Sequence, residues 1–306
     1  MRLLPCFILL MLCACQAGQD DAVIPQAPSV EKLGGLAGRI VFQSNRDGDW
    51  EIFTMTPAGT DVRQLTKNAW QDEYPVWSPD GRTIAFKSNQ QGNYDIYIMD
   101  HDGSNVRRLT HHAADDEDPA WTADGSNIAF HSKRDRGLEI YIVDVQNGLC
   151  KQLTDTRGRN ILPAFSPDGR YMAYTGSRFL GWTVYRYSLA GGKHEKLTDL
   201  DACRPDWSPD GGLIAFVSGD KSPKADIWVM TPEGKAARKL ISDPASYDYY
   251  PAWSPDGSHM AWAKAADKKK GNWEICVMQL ATGQWKNISQ HPAQDKFPDW
   301  AFPPAP

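Results

Sequence analysis

Two kinds of apolar run recur along the chain, and both have the pattern of short β-strands. The first kind follows an Asp-Gly or Gly-Gly pair or its equivalent, at residues 83–86, 127–130, 171–174, 213–216 and 259–262. The second kind begins about ten residues later with a carboxylate, at residues 95–99, 139–143 and 226–230. Runs rich in β-branched and aromatic residues between Gly, Asp and Asn favour strands, and no segment has a convincing 3.6-residue period. The pattern predicts an all-β protein.

A repeated motif of the form Pro-x-Trp-Ser-Pro-Asp-Gly organises these runs into units. It begins at Pro75, Pro119, Pro163, Pro205 and Pro251, and a truncated copy begins at Pro298. Successive leading prolines are 44, 44, 42, 46 and 47 residues apart. Each unit adds a turn such as Asp102-Gly103 and then a polar strand that ends in Leu-Thr. A period of about 40–50 residues made of four short strands is typical of propeller blades.

The two ends of the repeat region complete one another. Residues 38–42 correspond to the second strand of a unit that has no first strand before it. Residues 298–300 correspond to a first strand with nothing after it. Pairing of the last strand into the first unit would close the ring and remove open sheet edges. We therefore predict a six-bladed β-propeller of four-stranded antiparallel blades over residues 38–302.

The N-terminus has the pattern of an export signal. Arg2 precedes an apolar run over residues 3–12, which is short for a membrane span. The sequence Leu12-Cys13-Ala14-Cys15 resembles the bacterial lipobox, which implies cleavage after residue 14 and acylation of Cys15. Gln16 in the next position implies sorting to the outer membrane. We expect a signal peptide (1–14) and a flexible tether (15–37) rich in Gly and Pro; the alternative is an ordinary secretory signal.

Composition and charge exclude some functions. The chain has a formal net charge of -5, without the basic surplus that a nucleic-acid-binding protein needs. Three cysteines remain after the predicted signal and lipidation site: Cys150, Cys203 and Cys276. They fall in different blades, so we expect free buried thiols in preference to a disulfide.

The repeat resembles that of TolB-like propellers. The resemblance is carried by Pro-x-Trp-Ser-Pro-Asp-Gly-x-x-Ile-Ala-Phe, then Asp-Ile-Tyr-x-Met and Asp-Gly-Ser-Asn-x-x-x-Leu-Thr; it is closest over residues 75–110 and extends over residues 38–302. TolB is a periplasmic protein with an α/β domain before its propeller. The resemblance therefore implies a TolB-like propeller, and we expect this chain to lack that domain and, unlike TolB, to carry a lipid anchor.

Two enzyme families carry a similar propeller. Prolyl-oligopeptidase relatives place it before a hydrolase domain, but the sequence has no Gly-x-Ser-x-Gly nucleophile motif. Oligogalacturonate lyases bind a metal and an acidic sugar through clustered histidines. Here the seven histidines are scattered apart from His111-His112, and adjacent histidines in a loop rarely converge on one ion.

Equivalent positions near the channel mouth are candidates for a binding site. The residues three before each leading proline are Asp72, Asp116, Asn160, Ala202, Asp248 and Asp295, and Glu73, Glu117 and Asp118 lie beside them. The fold would bring the four aspartates, Asp72, Asp116, Asp248 and Asp295, near one rim, where they could hold calcium or face a basic partner. The alternative is that each aspartate caps its own turn.

Aromatic residues in the loops suit a peptide or sugar. Tyr247, Tyr249 and Tyr250 lie near the same predicted rim, and Trp70 and Trp182 lie in other loops; rim packing is the alternative. Lys268-Lys269-Lys270 is most simply a solvated run. We therefore predict a monomeric, non-enzymatic lipoprotein of the outer membrane that faces the periplasm and binds an envelope protein or peptide, without a cofactor. The alternative is a carbohydrate-active or metal-dependent enzyme that uses the channel.

Overall fold

The structure is a computed structural model that describes residues 36–135, 137–156, 158–177, 181–219 and 224–304. Over these residues it contains 24 strands and no helix. Accordingly, no helix in the described part of the chain is long and apolar enough to cross a membrane. The predicted signal peptide (1–14), Cys15 and the predicted tether up to residue 35 lie outside the described residues.

The strands form six antiparallel sheets of four strands, which we number as blades 1 to 6 in chain order. Blade 1 contains β1 (Arg39–Ser44), β2 (Glu51–Met55), β3 (Arg63–Gln64) and the last strand of the chain. Blade 2 contains β4 (Asp72–Trp77), β5 (Thr83–Ser88), β6 (Asp95–Asp100) and β7 (Arg107–Arg108). Blade 3 contains β8 (Asp116–Trp121), β9 (Asn127–Ser132), β10 (Glu139–Asp144) and β11 (Cys150–Gln152).

The second half of the ring repeats this order. Blade 4 contains β12 (Arg159–Phe165), β13 (Tyr171–Ser177), β14 (Thr183–Ser188) and β15 (His194–Lys196). Blade 5 contains β16 (Ala202–Trp207), β17 (Ile214–Ser218), β18 (Asp226–Met230) and β19 (Arg238–Ile241). Blade 6 contains β20 (Tyr247–Trp253), β21 (His259–Ala265), β22 (Glu274–Gln279) and β23 (Trp285–Asn287), and the last strand is β24 (Asp295–Ala301).

Ring closure occurs as the sequence predicts. Strand β24 pairs antiparallel with β1, so that Trp300 lies opposite Ile40, and it becomes the innermost strand of blade 1. The C-terminal strand thus completes the N-terminal sheet and covers the inner edge of β1. The predicted six-bladed architecture is confirmed.

The core consists of apolar layers between neighbouring sheets. Between blades 6 and 1, for example, Phe42 and Met55 pack with Ile275 and Val277, and all four are fully buried. The repeated tryptophan adds a hydrogen bond across such a junction: the Nε1 of Trp253 donates to the carbonyl oxygen of Asp206 at 3.3 Å. Equivalent bonds from Trp121 and Trp207 to the preceding blade place the motif residue between blades.

The Ser-Pro-Asp-Gly part of the motif forms the tight turn between the two inner strands. In blade 6 the Ser254 hydroxyl donates to Asp256 Oδ1 at 2.6 Å and accepts the backbone N–H of His259 at 2.8 Å. Gly257 has a φ of 70°, a left-handed conformation that glycine adopts readily. The serine and backbone donors lower the pKa of Asp256 to about 2.

The three remaining cysteines are free, but they are not all buried. Cys276 is buried in blade 6, Cys203 is half-buried and Cys150 is exposed. The expectation of buried thiols is therefore wrong for Cys150, because this residue lies on β11, the outermost strand of its blade, at the perimeter of the ring.

Candidate functional site

Every innermost strand is irregular at the residue that precedes its leading proline. In all six blades this residue carries a side chain, yet its φ lies in the left-handed region, between 51° and 61°: Tyr74, Asp118, Leu162, Arg204, Tyr250 and Phe297. We call these six residues the pre-proline ring. Left-handed backbone is costly for a residue with a Cβ, and a following proline restricts that residue to extended conformations. Strain that recurs at one position of every blade points to a functional surface.

The strained backbone is held by the neighbouring blade. A register shift interrupts the pairing of each innermost strand, for example between Glu73 and Val76, so the N–H of the left-handed residue leaves the sheet ladder. The N–H of Tyr74 instead donates to Gln43 Oε1 at 2.9 Å. The N–H of Arg204 likewise donates to Thr175 Oγ1 at 2.9 Å. At Tyr74 and Arg204 the backbone is therefore fixed by the blade junction and not by the ring side chain.

Four side chains of the pre-proline ring meet across the central channel. The rings of Tyr74 and Tyr250 lie with their centroids 3.7 and 3.9 Å from that of Phe297. The guanidinium carbon of Arg204 lies 4.5 Å from the centroid of Tyr250, and its Nη2 is 3.4 Å from the Tyr74 hydroxyl. Blades 1, 2, 5 and 6 thus contribute to a cluster of three aromatic rings and one arginine, which is stabilised by cation–π attraction.

A cavity of about 530 Å³ lies between this cluster and the Ser-Pro turns. Its wall is lined with small side chains such as Ala120, Ala164 and Ala252, and with three carboxylates, Asp118, Asp206 and Asp299. Asp299 accepts the N–H of Trp77 at 2.6 Å, and Asp206 accepts the N–H of Trp253 at 3.3 Å. Neither carboxylate has an ion-pair partner among the described residues.

Burial makes these two aspartates weak acids. Burial and the nearby charge of Asp299 raise the pKa of Asp206 to about 8, and burial raises that of Asp299 to about 6. At neutral pH Asp206 and Asp299 together therefore carry close to one negative charge. A group that enters the cavity next to them would be favoured if it donated hydrogen bonds.

The mouth of the channel above Tyr74 is ionic. Lys87 is almost fully buried and lies between Glu117, at 2.6 Å, and Glu73, at 3.3 Å, with the Tyr74 ring 4.5 Å away. His131 Nδ1 lies 3.3 Å from Asp118. Burial would lower the pKa of Lys87, but the nearby carboxylates raise it, so this lysine is charged and neutralises its neighbours.

The opposite part of the mouth is aromatic. Tyr249 contacts Tyr250 and Trp273, with ring centroids 5.5 and 5.7 Å apart. Lys296 lies between Trp50 and Trp273, at 5.1 and 5.6 Å from their ring centroids, and burial lowers its pKa. The mouth therefore has an aromatic side from blades 6 and 1 and an ionic side from blades 2 and 3.

The structure does not bring the four predicted rim aspartates together. Each is at most 2 % exposed, and none belongs to a group of three potential metal ligands within the described residues. Asp116 pairs with Arg134 at 2.6 Å, Asp248 with Lys264 at 3.4 Å and Asp295 with Arg46 at 2.9 Å. Their side chains turn into the junctions between blades, whereas the residues that follow them, Glu73, Glu117, Tyr249 and Lys296, lie at the channel mouth.

The other members of the predicted rim have different environments. Asn160 is buried and donates to Glu139 at 2.6 Å, whereas Asp72 accepts from the Asn68 amide at 2.8 Å. Glu73, Glu117 and Tyr249 do lie at the mouth, next to the pre-proline ring.

The remaining candidates from the sequence lie away from the channel cluster. His111 and His112 are exposed, and His112 Nδ1 accepts the N–H of Ala114. Trp70 is 42 % exposed, and the Trp182 ring stacks on Arg159 with the guanidinium carbon at 4.8 Å. Lys268 is exposed and donates to the Tyr249 hydroxyl at 3.0 Å, so one residue of the lysine run reaches the aromatic side of the mouth.

Sequence reasoning did not single out four members of the pre-proline ring: Tyr74, Leu162, Arg204 and Phe297. One signal was available, since this position differs widely among blades while the residues after it repeat. A position that varies inside an otherwise fixed motif contributes little to the fold, and such positions are the natural sites of function.

Two family descriptions match overlapping parts of the chain. Residues 37–139 match "Tricorn protease N-terminal beta propeller domain", and residues 116–224 match "TolB beta propeller domain". A TolB homolog of Chlorobium luteolum is 34% identical over 82 residues, which is 26% of this chain and 17% of that protein. A Bacillus subtilis protein named "Uncharacterized peptidase YuxL" is 45% identical over 53 residues, 17% of this chain and 8% of its own length.

Similarity to a solved structure extends over most of the ring. TolB from Acinetobacter baumannii superimposes with a TM-score of 0.75 at 21% identity, and the match covers 86% of this chain and 66% of that one. At this identity the superposition shows the shared fold. This chain spans less than a fifth of the length of the two relatives matched by sequence, which include both a Tol protein and a peptidase.

Proposed function

Since the chain belongs to the TolB-like family of six-bladed propellers, we propose that it is a non-enzymatic scaffold of the bacterial cell envelope that binds a protein segment at the channel mouth. The observation that carries this proposal is the pre-proline ring. Six strained residues turn their side chains toward the channel, and four of them form a cluster of Tyr, Phe and Arg.

The composition of this cluster favours a polypeptide ligand. Tyr, Trp and Arg are the residues that contribute most to protein interfaces, because they bury large areas and still offer hydrogen bonds. Tyr249, Trp273 and Trp50 extend the same surface outward from the ring. On the ionic side, Glu73 and Glu117 provide polar contacts that would select the orientation of a partner.

The location of the protein follows from the N-terminal sequence. We propose that Cys15 is acylated and anchors a monomeric propeller to the outer membrane, facing the periplasm, through the tether up to residue 37. A Cys15→Ser variant should move from the membrane fraction to the soluble periplasmic fraction and lose incorporation of a labelled fatty acid. A variant that stays in the membrane fraction would contradict the anchor.

Site-specific crosslinking tests the binding surface. A photoreactive phenylalanine analogue placed at Tyr249 in intact cells should give one defined adduct with an envelope protein. The same analogue at Leu149, which is exposed outside the ring, is the matched control and should give none. Arg204→Met should reduce the Tyr249 adduct because it removes the cationic centre of the cluster.

One outcome would favour the enzyme alternative. If Tyr249 gives no adduct above the Leu149 background, and the purified chain degrades an acidic oligosaccharide, the scaffold proposal fails.

A further inference from the structure

The six junctions between blades share one geometry. At each junction the first or second residue of an innermost strand donates its N–H to the carbonyl oxygen of the residue just before the third strand of the preceding blade, as Asp72 does to Trp50 at 2.8 Å. Two polar positions therefore lie next to each other, one on the third strand and one on the innermost strand. The pairs are Glu51 and Asp72, Asp95 and Asp116, Glu139 and Asn160, Thr183 and Ala202, Asp226 and Asp248, and Glu274 and Asp295.

Five of these junctions compensate their buried charge or avoid it. In the junction of blades 2 and 3, Asp95 faces Arg108 at 2.8 Å and Asp116 faces Arg134 at 2.6 Å. Asp226 and Asp248 each form an ion pair with a lysine, and Asp295 forms one with Arg46. In the junction of blades 3 and 4, Asn160 donates to Glu139 at 2.6 Å. The pair Thr183 and Ala202 carries no charge.

The junction of blades 1 and 2 keeps both carboxylates and has lost both cations. Gln64 lies opposite Phe53 as Arg108 lies opposite Tyr97, so a glutamine takes the place of an arginine. The second arginine is replaced in the same way. Arg46 of blade 1 follows Ser44 and Asn45, and the equivalent residue of blade 2, which follows Ser88 and Asn89, is Gln90.

The two carboxylates at this junction are left short of donors. Glu51 and Asp72 are 0 % and 2 % exposed. Asn68 donates to one oxygen of each acid: its N–H donates to Glu51 at 2.6 Å and its side-chain amide donates to Asp72 at 2.8 Å. Glu51 Oε2 and Asp72 Oδ1 are buried without a hydrogen-bond partner. Two hydroxyls lie nearby: Thr66 carries one proton, which cannot be donated to both acids, and Ser88 lies beside Asp72 alone.

Further carboxylates are added beside this pair. Asp47 and Asp49 lie in the loop before β2. One carboxylate oxygen each from Asp47, Asp49 and Glu51 lie within 4.8 Å of one another. The corresponding loop of blade 2 has the same length but carries Gln91 and Asn93 at these positions. Negative charge is therefore concentrated at the junction that lacks arginine, which would be strongly unfavourable without a bound cation.

We propose that the junction of blades 1 and 2 binds a divalent cation of the calcium type through Asp47, Asp49 and Glu51, with Asp72 behind them. The cation takes the place that Arg108 and Arg134 fill at the next junction. Calcium fits best because it accepts irregular sets of carboxylate and backbone oxygens, whereas magnesium requires near-ideal octahedral geometry and retains water. This site lies between blades and is separate from the channel.

Thermal unfolding of the full chain, after treatment with a chelator, tests the proposal at pH 7.5. Millimolar calcium should raise the Tm, and either Asp47→Asn or Asp49→Asn should abolish most of this rise. Both residues lie in a surface loop, so these variants should fold. Asp102→Asn, in an exposed turn of blade 2, is the matched control and should keep the full rise.

A second variant replaces the cation with a side chain. Gln90→Arg restores the arginine found in blades 1 and 3, and it should raise the Tm in the absence of calcium and shrink the calcium-dependent rise. Terbium provides a direct readout: its emission, sensitised by Trp50 beside Asp49, should appear with the wild type, be displaced by calcium and be lost in Asp49→Asn.

The competing explanation is a proton shared between Glu51 and Asp72. Burial raises the pKa of Glu51 to about 7, so this proton could be held near neutral pH. In that case calcium would leave the Tm unchanged and Glu51→Gln would stabilise the chelator-treated protein. Either an unchanged wild-type Tm or a calcium-dependent rise that survives in both Asp47→Asn and Asp49→Asn overturns the proposal.

Discussion

The Ser-Pro-Asp-Gly turns and the pre-proline ring lie a few residues apart on the same strands, yet they behave in opposite ways. The turns occur in blades 2 to 6 with almost the same residues and the same hydrogen bonds, as Ser78, Ser166, Ser208 and Ser254 show. The ring has six strained backbones of one shape and five different residue types, with tyrosine used twice.

This difference distinguishes positions that the fold requires from positions that are available for binding. A turn residue is restricted because its side chain closes local hydrogen bonds. The side chains of Tyr74 and Arg204 are not restricted in this way, because Gln43 and Thr175 of the neighbouring blades accept the hydrogen bonds of their backbone N–H groups. The ring can therefore change its chemistry without cost to the sheet, which is what a binding surface on a scaffold requires. The predictions below test whether the two regions are independent.

The largest loss of stability is expected from the repeated tryptophan. Trp253→Ala removes a ring that is 8 % exposed and the hydrogen bond from Nε1 to Asp206. The free energy of unfolding, measured in urea, should fall by about 3–5 kcal/mol. Trp70→Ala removes a tryptophan that is 42 % exposed and should change it by less than about 0.5 kcal/mol. Equal losses would mean that the motif tryptophan does not hold the blades together.

The second prediction concerns the pH dependence set by the cavity. Because the pKa of Asp206 is raised to about 8, the native state takes up a proton that the unfolded state releases near pH 4. The stability of the wild type should therefore fall as the pH rises from about 4 to 8. Asp206→Asn removes this dependence and should be more stable than the wild type at pH 9, by about 1–3 kcal/mol.

Urea unfolding at pH 5, 7 and 9 measures this effect. Asp299→Asn is the control, since a pKa of about 6 confines the contribution of Asp299 to the range below pH 6. Removal of the Asp299 charge should also lower the pKa of Asp206. Parallel pH profiles for the wild type and Asp206→Asn would show that the carboxyl is not buried as described.

The features of the fold and of the site that the sequence predicts are those that depend on residues close together in the chain. The six blades and the closure by residues 298–300 were predictable because period and turn chemistry are local properties. The rim was harder, because a bulge between Glu73 and Val76 decides which residue faces the channel. A proline follows the bulged residue in every blade, but a residue before proline is normally extended, so Asp72 was expected at the rim and Arg204 was not noticed.

The junction of blades 1 and 2 was unpredictable for a different reason. Gln64 and Gln90 are ordinary polar residues in the sequence. They become informative only when the register shows that arginines occupy the same places in other blades.

A moderate effect is expected at the turn. Ser254→Ala removes the donor to Asp256 and the acceptor of the His259 N–H, which should cost about 1–2 kcal/mol. The lowered pKa of Asp256 contributes stability above pH 4 that is lost as the pH falls through about 2. Without Ser254 that pKa rises, so acid unfolding should begin at a higher pH. Ser258→Ala, at an exposed position, should leave the neutral-pH stability almost unchanged.

The smallest effect is the sharpest test of strain in the ring. At Leu162, φ is 56°, so a variant with alanine keeps the unfavourable Cβ while a variant with glycine loses it. Leu162→Gly should therefore be more stable than Leu162→Ala by about 0.5–1 kcal/mol, although glycine is the worse residue in a regular strand. At Ala164, two residues further along β12, substitution by glycine should instead be destabilising. If alanine proves as stable as glycine at position 162, the ring backbone is not strained, and the argument that strain marks this surface as functional fails.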